Sequence, residues 1–187
     1  LDPYTRGHTE RVAHFVHLTA ERLGLGAEAQ ERLRWAALVH DVGKVAVPAE
    51  LLHKPGPLTD EEYHTMTRHM RVVEEVLARV DFLRPMVAIA YSHHALLDED
   101  AGEVGVEGRI LAAADAFDAM TSTRSYRAAV TQVTAFGQLR CRSATYGSEV
   151  VEALIGAIEA TREVYGSPDE ESSAEVARLV RERAIRA

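Results

Sequence analysis

Histidine and aspartate residues interrupt the apolar helix patterns of this chain, and burying them is the strongest constraint on its fold. The apolar spacing predicts a first helix over about 3–23, and His8 falls one turn before Val12 on its buried side. The same kind of position, at a helix end or on an inner face, is predicted for His40, Asp41, His69, His93, His94 and Asp115. A core does not bury so many titratable groups unless a cation compensates them. We therefore expect a helical bundle built around a metal-binding centre.

Helical signals continue along the chain. Thr59 and Glu62 have the spacing of a capping box, and Ser148 is expected to cap a later helix. Helices are predicted over about 27–41, 59–70, 71–80, 85–94, 108–120, 131–142 and 148–165. Since we find no strand pattern, we expect an all-α fold, a bundle of about 7–9 helices.

Composition narrows the class of protein. The length of 187 residues suits one domain at 1–165, and Gly166-Ser167-Pro168 separates it from a helical extension at 166–187. A net charge of -8 argues against binding bulk nucleic acid. Cys141 is the only cysteine, which excludes an internal disulfide and indicates the cytoplasm. No apolar run in this segment is long enough to span a membrane.

Two local patterns indicate metal chemistry. The run Leu38-Val39-His40-Asp41-Val42-Gly43-Lys44 combines an imidazole, a carboxylate and an ammonium group within five residues. Asp115 and Asp118 lie three apart on an otherwise apolar helix, which is costly unless they bind a cation or accept hydrogen bonds. A mixed set of histidine and aspartate ligands suits Fe, Mn or Zn better than Mg or Ca.

These residues, in this order, resemble the HD superfamily of metal-dependent phosphohydrolases, and His69 with His93-His94 narrows the resemblance to its HD-GYP branch. The matching text covers roughly 2–155 and includes Ala114-Asp115-Ala116-Phe117-Asp118-Ala119-Met120-Thr121-Ser122. The resemblance implies two divalent metals that activate water against the phosphodiester of cyclic di-GMP. The implied ligands are His8, His40, Asp41, His69, His93, His94 and Asp115. Asp41 would be the catalytic residue that bridges the two metals, and Asp118 would contact the ligands without binding metal itself. Three basic residues match positions that contact phosphate in the family: Lys44, which is also an implied catalytic residue, Arg124 and Arg127.

The sequence also departs from the family. The Gly-Tyr-Pro loop that names the branch is absent from the chain, and Ala95 follows His94. Some relatives bind a third metal through a glutamate where this chain has Tyr4, so we expect two metals here.

Three functions therefore stay open. The first is a phosphodiesterase acting on a small phosphodiester or nucleotide, with cyclic di-GMP the leading candidate. The second is a catalytically inactive module that binds a nucleotide or a protein partner, and the third is a histidine-rich structural bundle. Because the chain starts at Leu1, fusion to a sensory domain is one expectation, and a homodimer formed through 169–186 is another.

Overall fold

The computed structural model describes residues 3–52, 54, 56, 59–96, 104–123 and 128–166, without the side chains of 3–6, 60, 63, 94 and 95. In these residues the α-helices are α1 (Pro3–Arg22), α2 (Ala27–Val39), α3 (Ala49–Leu52), α4 (Asp60–Thr67), α5 (His69–Leu77), α6 (Arg84–Ala95), α7 (Val106–Thr121), α8 (Gln132–Cys141), α9 (Ser143–Tyr146) and α10 (Ser148–Thr161). Two short 3-10 helices lie at Val42–Ala46 and Asp81–Leu83.

The all-α prediction is confirmed, since the described residues contain no strand. Eight of the helices in this part of the chain have eight or more residues, which agrees with the predicted number, and α3 and α9 are single turns. The predicted capping box is present: the Thr59 side chain accepts from the Glu62 N–H, and the Glu62 side chain accepts from the Thr59 N–H.

The core forms where α1, α7 and α10 pack together, with α2 and α6 alongside. Val12, Phe15, Val16 and Ala20 are fully buried, as the spacing on α1 predicts. The Phe15 ring meets the Phe117 ring of α7 edge-on, with centroids 5.1 Å apart. This packing fixes α1 against α7, the two helices that carry His8 and Asp115.

Some predicted boundaries are wrong. The helix expected to end near His69 instead ends at Thr67, and His69 begins α5 after a bend at Arg68. Ser148 does not cap α10, because Gly147 precedes the helix with a φ of 88° that favours glycine. Helix α7 begins at Val106 rather than Gly108.

Other expectations concern parts of the chain that are not described. The helical extension predicted at 166–187 lies outside the described residues, apart from Gly166. Where the structure does describe helices, each is too short or too polar to cross a membrane.

Candidate metal centre

Five helical segments bring six of the seven predicted ligands to one region of the fold. His8 lies on α1, and His40-Asp41 directly follow α2. His69 starts α5, and His93 lies on α6; all four histidines and Asp41 are buried. Asp115 on α7 joins them with its side chain 30% exposed. The cluster is therefore closed on most sides and open near Asp115.

Three of these histidines are oriented by the same local contact. The Nδ1 atom of His40 lies 2.8 Å from the Ala37 carbonyl oxygen, and Nδ1 of His69 lies 2.5 Å from that of Met66. His93 makes the equivalent contact to Ala90. A carbonyl oxygen only accepts hydrogen bonds, so each Nδ1 carries the proton. In the neutral ring, Nε2 then holds the lone pair that a metal requires.

Asp41 lies between two of the histidines. Its Oδ2 atom is 3.5 Å from His8 Nε2, and its Oδ1 atom is 3.6 Å from His40 Nε2. Lys44 Nζ donates to Oδ2 over 2.6 Å. Burial raises the pKa of Asp41, but His40, His8 and Lys44 outweigh it and hold the pKa well below its usual range. Asp41 is therefore a carboxylate that offers one oxygen to each side.

His8 is held between three carboxylates. Its Nδ1 donates to Asp118 Oδ2 over 2.7 Å, and its Nε2 lies 3.3 Å from Asp115 Oδ1. Burial lowers the pKa of His8, but the hydrogen bonds to Asp118 and Asp41, with the charges of Asp115 and Asp118, raise it to about 9. In the metal-free protein this ring is an imidazolium, and a cation at Nε2 would replace its proton.

The ligand atoms converge in two overlapping groups. Within the described residues, one group combines His8, His40 and Asp41, and the other combines His40, His93 and Asp115. In each group the atoms that could bind metal all lie within 4.8 Å of one another. His40 belongs to both, and its ring centroid lies 5.5 Å from that of His8 and 5.3 Å from that of His93. Imidazole nitrogens and carboxylate oxygens in this arrangement fit divalent transition metals.

His69 lies beside these groups rather than within them. Burial lowers its pKa and the positive charge of Lys44 adds to that effect, while the Met66 carbonyl and Asp41 oppose it. A lowered pKa keeps the ring neutral at physiological pH, which is the form that binds metal.

The close approach of His69 depends on Gly43. A Cβ atom added at Gly43 would lie 2.0 Å from the His69 carbonyl oxygen, so only glycine allows the turn after Asp41 to pack against the start of α5. The sequence signal for this contact is the glycine between Asp41 and Lys44, although its partner could not be read from it.

Some predicted residues have no described side chain. His94 lies in α6 and Tyr4 in α1, but only their backbones are described, and Arg124 and Arg127 lie outside the described residues. Conversely, the sequence reading missed Arg11 and Ser122, which contact Asp118. The signal for them was their spacing, since Arg11 lies three residues after His8 and Ser122 lies four after Asp118.

Comparison with known proteins identifies the family of this chain. The family model described as HD domain matches residues 2–150. A 3'3'-cGAMP-specific phosphodiesterase 3 of Vibrio cholerae is 38% identical over 68% of this chain and 29% of its own length. The cyclic di-GMP phosphodiesterase response regulator RpfG of Xanthomonas campestris is 38% identical over 82% of this chain and 43% of its own length. A cyclic di-GMP phosphodiesterase of Thermotoga maritima is 33% identical over 92% of this chain and 50% of its own length.

The chain thus spans half or less of the length of these three relatives. The family model, by contrast, covers most of the chain and includes every predicted metal ligand. The chain belongs to the HD domain family, and within it to the HD-GYP branch whose histidine and aspartate motifs its sequence carries.

Proposed function

We propose that this chain is a metal-dependent phosphodiesterase for cyclic dinucleotides, with cyclic di-GMP as the first substrate to test. The observation that carries the proposal is the convergence of His8, His40, His93, Asp41 and Asp115 in one buried cluster. A purely structural core does not require imidazole rings that direct a nitrogen atom toward two carboxylates.

The proposed ligand set comprises His8, His40, Asp41, His69, His93, His94 and Asp115, holding two divalent ions of Fe, Mn or Zn. Asp41 is the proposed bridge, because each of its oxygens faces a different histidine. Bound there, such ions would supply Lewis-acid polarisation of a phosphate and an acidified water. Asp115 is preferred to Asp118 as a ligand, because Asp118 is occupied by His8 Nδ1.

The basic residues would act on the substrate. Lys44 donates to Asp41 and is 32% exposed, so its ammonium lies at the edge of the cluster. A cation bound at Asp41 would repel that ammonium and favour its contact with a substrate phosphate. Arg124 and Arg127, which follow α7 in sequence, are proposed to bind the same phosphates.

Substrate identity is proposed from the relatives. Two of the three are named for cyclic di-GMP and one for 3'3'-cGAMP, and all are phosphodiesterases. Cyclic dinucleotides are small phosphodiesters, as expected for an acidic chain that does not suit bulk nucleic acid. We further propose that the protein acts in the cytoplasm. It would act there as a homodimer or as part of a chain that also carries a sensory domain.

One observation favours a second function. The chain lacks the Gly-Tyr-Pro sequence of the branch, and Ala95 follows the double histidine directly. A site with its ligands but without this loop could bind a nucleotide or a protein partner without cleaving it. The two functions differ in whether the bound nucleotide is hydrolysed.

Hydrolysis of cyclic di-GMP, 3'3'-cGAMP and linear dinucleotides, with Mn²⁺ or Fe²⁺ supplied, tests the proposal. We expect a linear product from at least one cyclic dinucleotide, and D41A should abolish it. The matched control is D81A, because Asp81 is an exposed acid whose partner is the surface Arg84. Binding of a cyclic dinucleotide without turnover under these conditions would establish the second function instead.

Substitution of Lys44 separates phosphate binding from metal binding. K44M should lower turnover by about 10²-fold, the scale of losing one preorganised charge at a reacting phosphate. Metal content should not fall, since Lys44 competes with a cation for Asp41 rather than assisting it. If K44M loses metal in parallel with turnover, Lys44 maintains the cluster and does not serve the substrate.

A further inference from the structure

Four side chains form a compact network behind His8. His8 and Arg11 lie three residues apart on α1, Asp118 lies on α7, and Ser122 directly follows the end of α7. Arg11 Nε donates to Asp118 Oδ1 over 2.5 Å, and an Arg11 terminal nitrogen donates to Asp118 Oδ2 over 3.1 Å. The same nitrogen donates to Ser122 Oγ over 3.0 Å. The network joins the two helices on the side of His8 away from Asp41.

Asp118 is the centre of this network. Its side chain is 1% exposed, whereas Arg11 is 38% exposed, so the guanidinium covers the carboxylate from the solvent side. Burial raises the pKa of Asp118, but hydrogen bonds from His8 and Arg11 lower it below its ordinary value. The carboxylate is therefore charged, and a buried charge is costly unless it is paired and hydrogen-bonded.

The geometry leaves the Asp118 carboxylate no freedom to rotate. Oδ1 accepts from Arg11, while Oδ2 accepts from His8, from Arg11 and, over 3.3 Å, from Ser122. A planar guanidinium that binds both oxygens fixes the plane of the carboxylate, which a lysine cannot do. Because His8 Nδ1 donates to that carboxylate, its plane sets the direction of the imidazole ring.

The direction of the ring decides what His8 can bind. With Nδ1 on Asp118, Nε2 lies 3.5 Å from Asp41 Oδ2 and 3.3 Å from Asp115 Oδ1. Rotation of the ring away from Asp118 would carry Nε2 out of reach of both oxygens. His8 differs in this from His40, whose direction is set by a carbonyl of its own helix.

We propose that Arg11 is a positioning residue of the metal centre, which fixes Asp118 so that His8 presents Nε2 to the ligand cluster. Ser122, just past the end of α7, supports the same carboxylate. The inference rests on the proposed function, because it assumes that His8 binds metal. Arg11 itself touches neither metal nor substrate in this role.

Zn²⁺ binding to the full chain tests the proposal. R11M removes the guanidinium, and R11K keeps the positive charge but not the two donors that bind both Asp118 oxygens. R22M is the matched control. Arg22 lies on the same helix with its guanidinium over Gly156. Zn²⁺ affinity is measured by competition with a chromophoric chelator, and the imidazole N–H signals of ¹⁵N-histidine-labelled, Zn²⁺-loaded protein report the His8 hydrogen bond.

We expect R11M to weaken one Zn²⁺ equivalent by about 10- to 100-fold, as for other residues that orient a metal-binding histidine. R11K should fall between R11M and wild type, and both should shift or broaden the His8 Nδ1–H signal. R22M should retain wild-type affinity and spectrum. R11K keeps the test valid if R11M does not fold, because it leaves Asp118 with a cation.

The contrary results are distinct. If R11K and R11M bind Zn²⁺ as R22M does, with the His8 signal unchanged, Arg11 does not position the centre. If R22M loses affinity as R11M does, the effect is general destabilisation and the inference is wrong. If wild-type protein binds none of Zn²⁺, Mn²⁺ and Fe²⁺, the proposed function itself fails.

Discussion

At the scale of single residues, four histidines of the centre have described side chains, and each of these is directed by an acceptor next to it. His40, His69 and His93 use carbonyls three residues earlier, and His8 uses the Asp118 carboxylate. Helical periodicity predicted that these four histidines turn inward, and all four are buried. It could not predict which ring nitrogen each presents, since that depends on contacts such as Arg11 with Asp118, 107 residues apart.

His8 provides a pH test of this arrangement in the metal-free protein. Its pKa is raised from 6.5 to about 9, so the stability it contributes is complete below pH 6.5 and is lost as the pH rises through about 9. The free energy of unfolding in the presence of EDTA should fall by up to about 3 kcal/mol across that window. Urea unfolding at several pH values measures it.

Two histidine variants isolate this effect. H8Q should remove most of the decline, whereas H14Q should retain it, because His14 is exposed. Asp41 and Asp118, whose pKa values are lowered in the folded protein, are ionised in both folded and unfolded protein over this range and contribute no slope. An H8Q profile as steep as wild type would mean that another group titrates there.

At the scale of elements, short segments do as much as the long helices to position the site. The 3-10 helix at Val42–Ala46 carries Lys44 and packs on α5 through Gly43. The bend at Arg68 separates α4 from α5 and places His69 at a helix start. Neither glycine nor proline marks that bend, so sequence reasoning continued one helix to about 70.

Gly43 offers a direct test of that packing. G43A would force a Cβ atom to within 2.0 Å of the His69 carbonyl oxygen, so the two segments must separate. We expect a loss of about 1–3 kcal/mol in the free energy of unfolding, with weaker Zn²⁺ binding. Denaturant unfolding and chelator competition measure the two effects.

The control for this change is another glycine-to-alanine substitution. Gly137 lies inside α8 with no atom within 4 Å of an added Cβ. G137A should therefore stabilise the protein, by about 0.5–1 kcal/mol. If G43A is as well tolerated as G137A, the close approach of Gly43 to His69 is not needed.

At the scale of the whole molecule, the described residues form a hydrophobic core that supports the site. Tyr165, near the end of the described chain, packs against this core. The Tyr165 ring meets the Phe15 and Phe117 rings edge-on, at centroid distances of 5.0 and 5.9 Å. The Gln132 N–H donates to the Tyr165 carbonyl over 3.1 Å, and the Tyr165 N–H donates to Gln132 Oε1 over 3.0 Å. Gly166 then turns with a φ of 69°. The proposed domain boundary near 165 therefore follows a segment that belongs to the core.

Two shortened chains test that boundary. A chain ending at residue 166 should unfold with nearly the same free energy as the full chain. A chain ending at 161 should lose about 2 kcal/mol or more, because it removes the Tyr165 ring from the core and both bonds to Gln132. Thermal and urea unfolding measure both. Equal stability of the two shortened chains would place the boundary earlier than 165.

Metal stoichiometry tests the central claim most directly. Elemental analysis of protein purified with Mn²⁺, Fe²⁺ or Zn²⁺ should find about two equivalents per chain, the number that a bridging carboxylate with ligands on both sides can hold. D41A should lose most of both equivalents, and D81A should match the wild type. Less than one equivalent in metal-replete wild-type protein would contradict a two-metal centre at His40-Asp41.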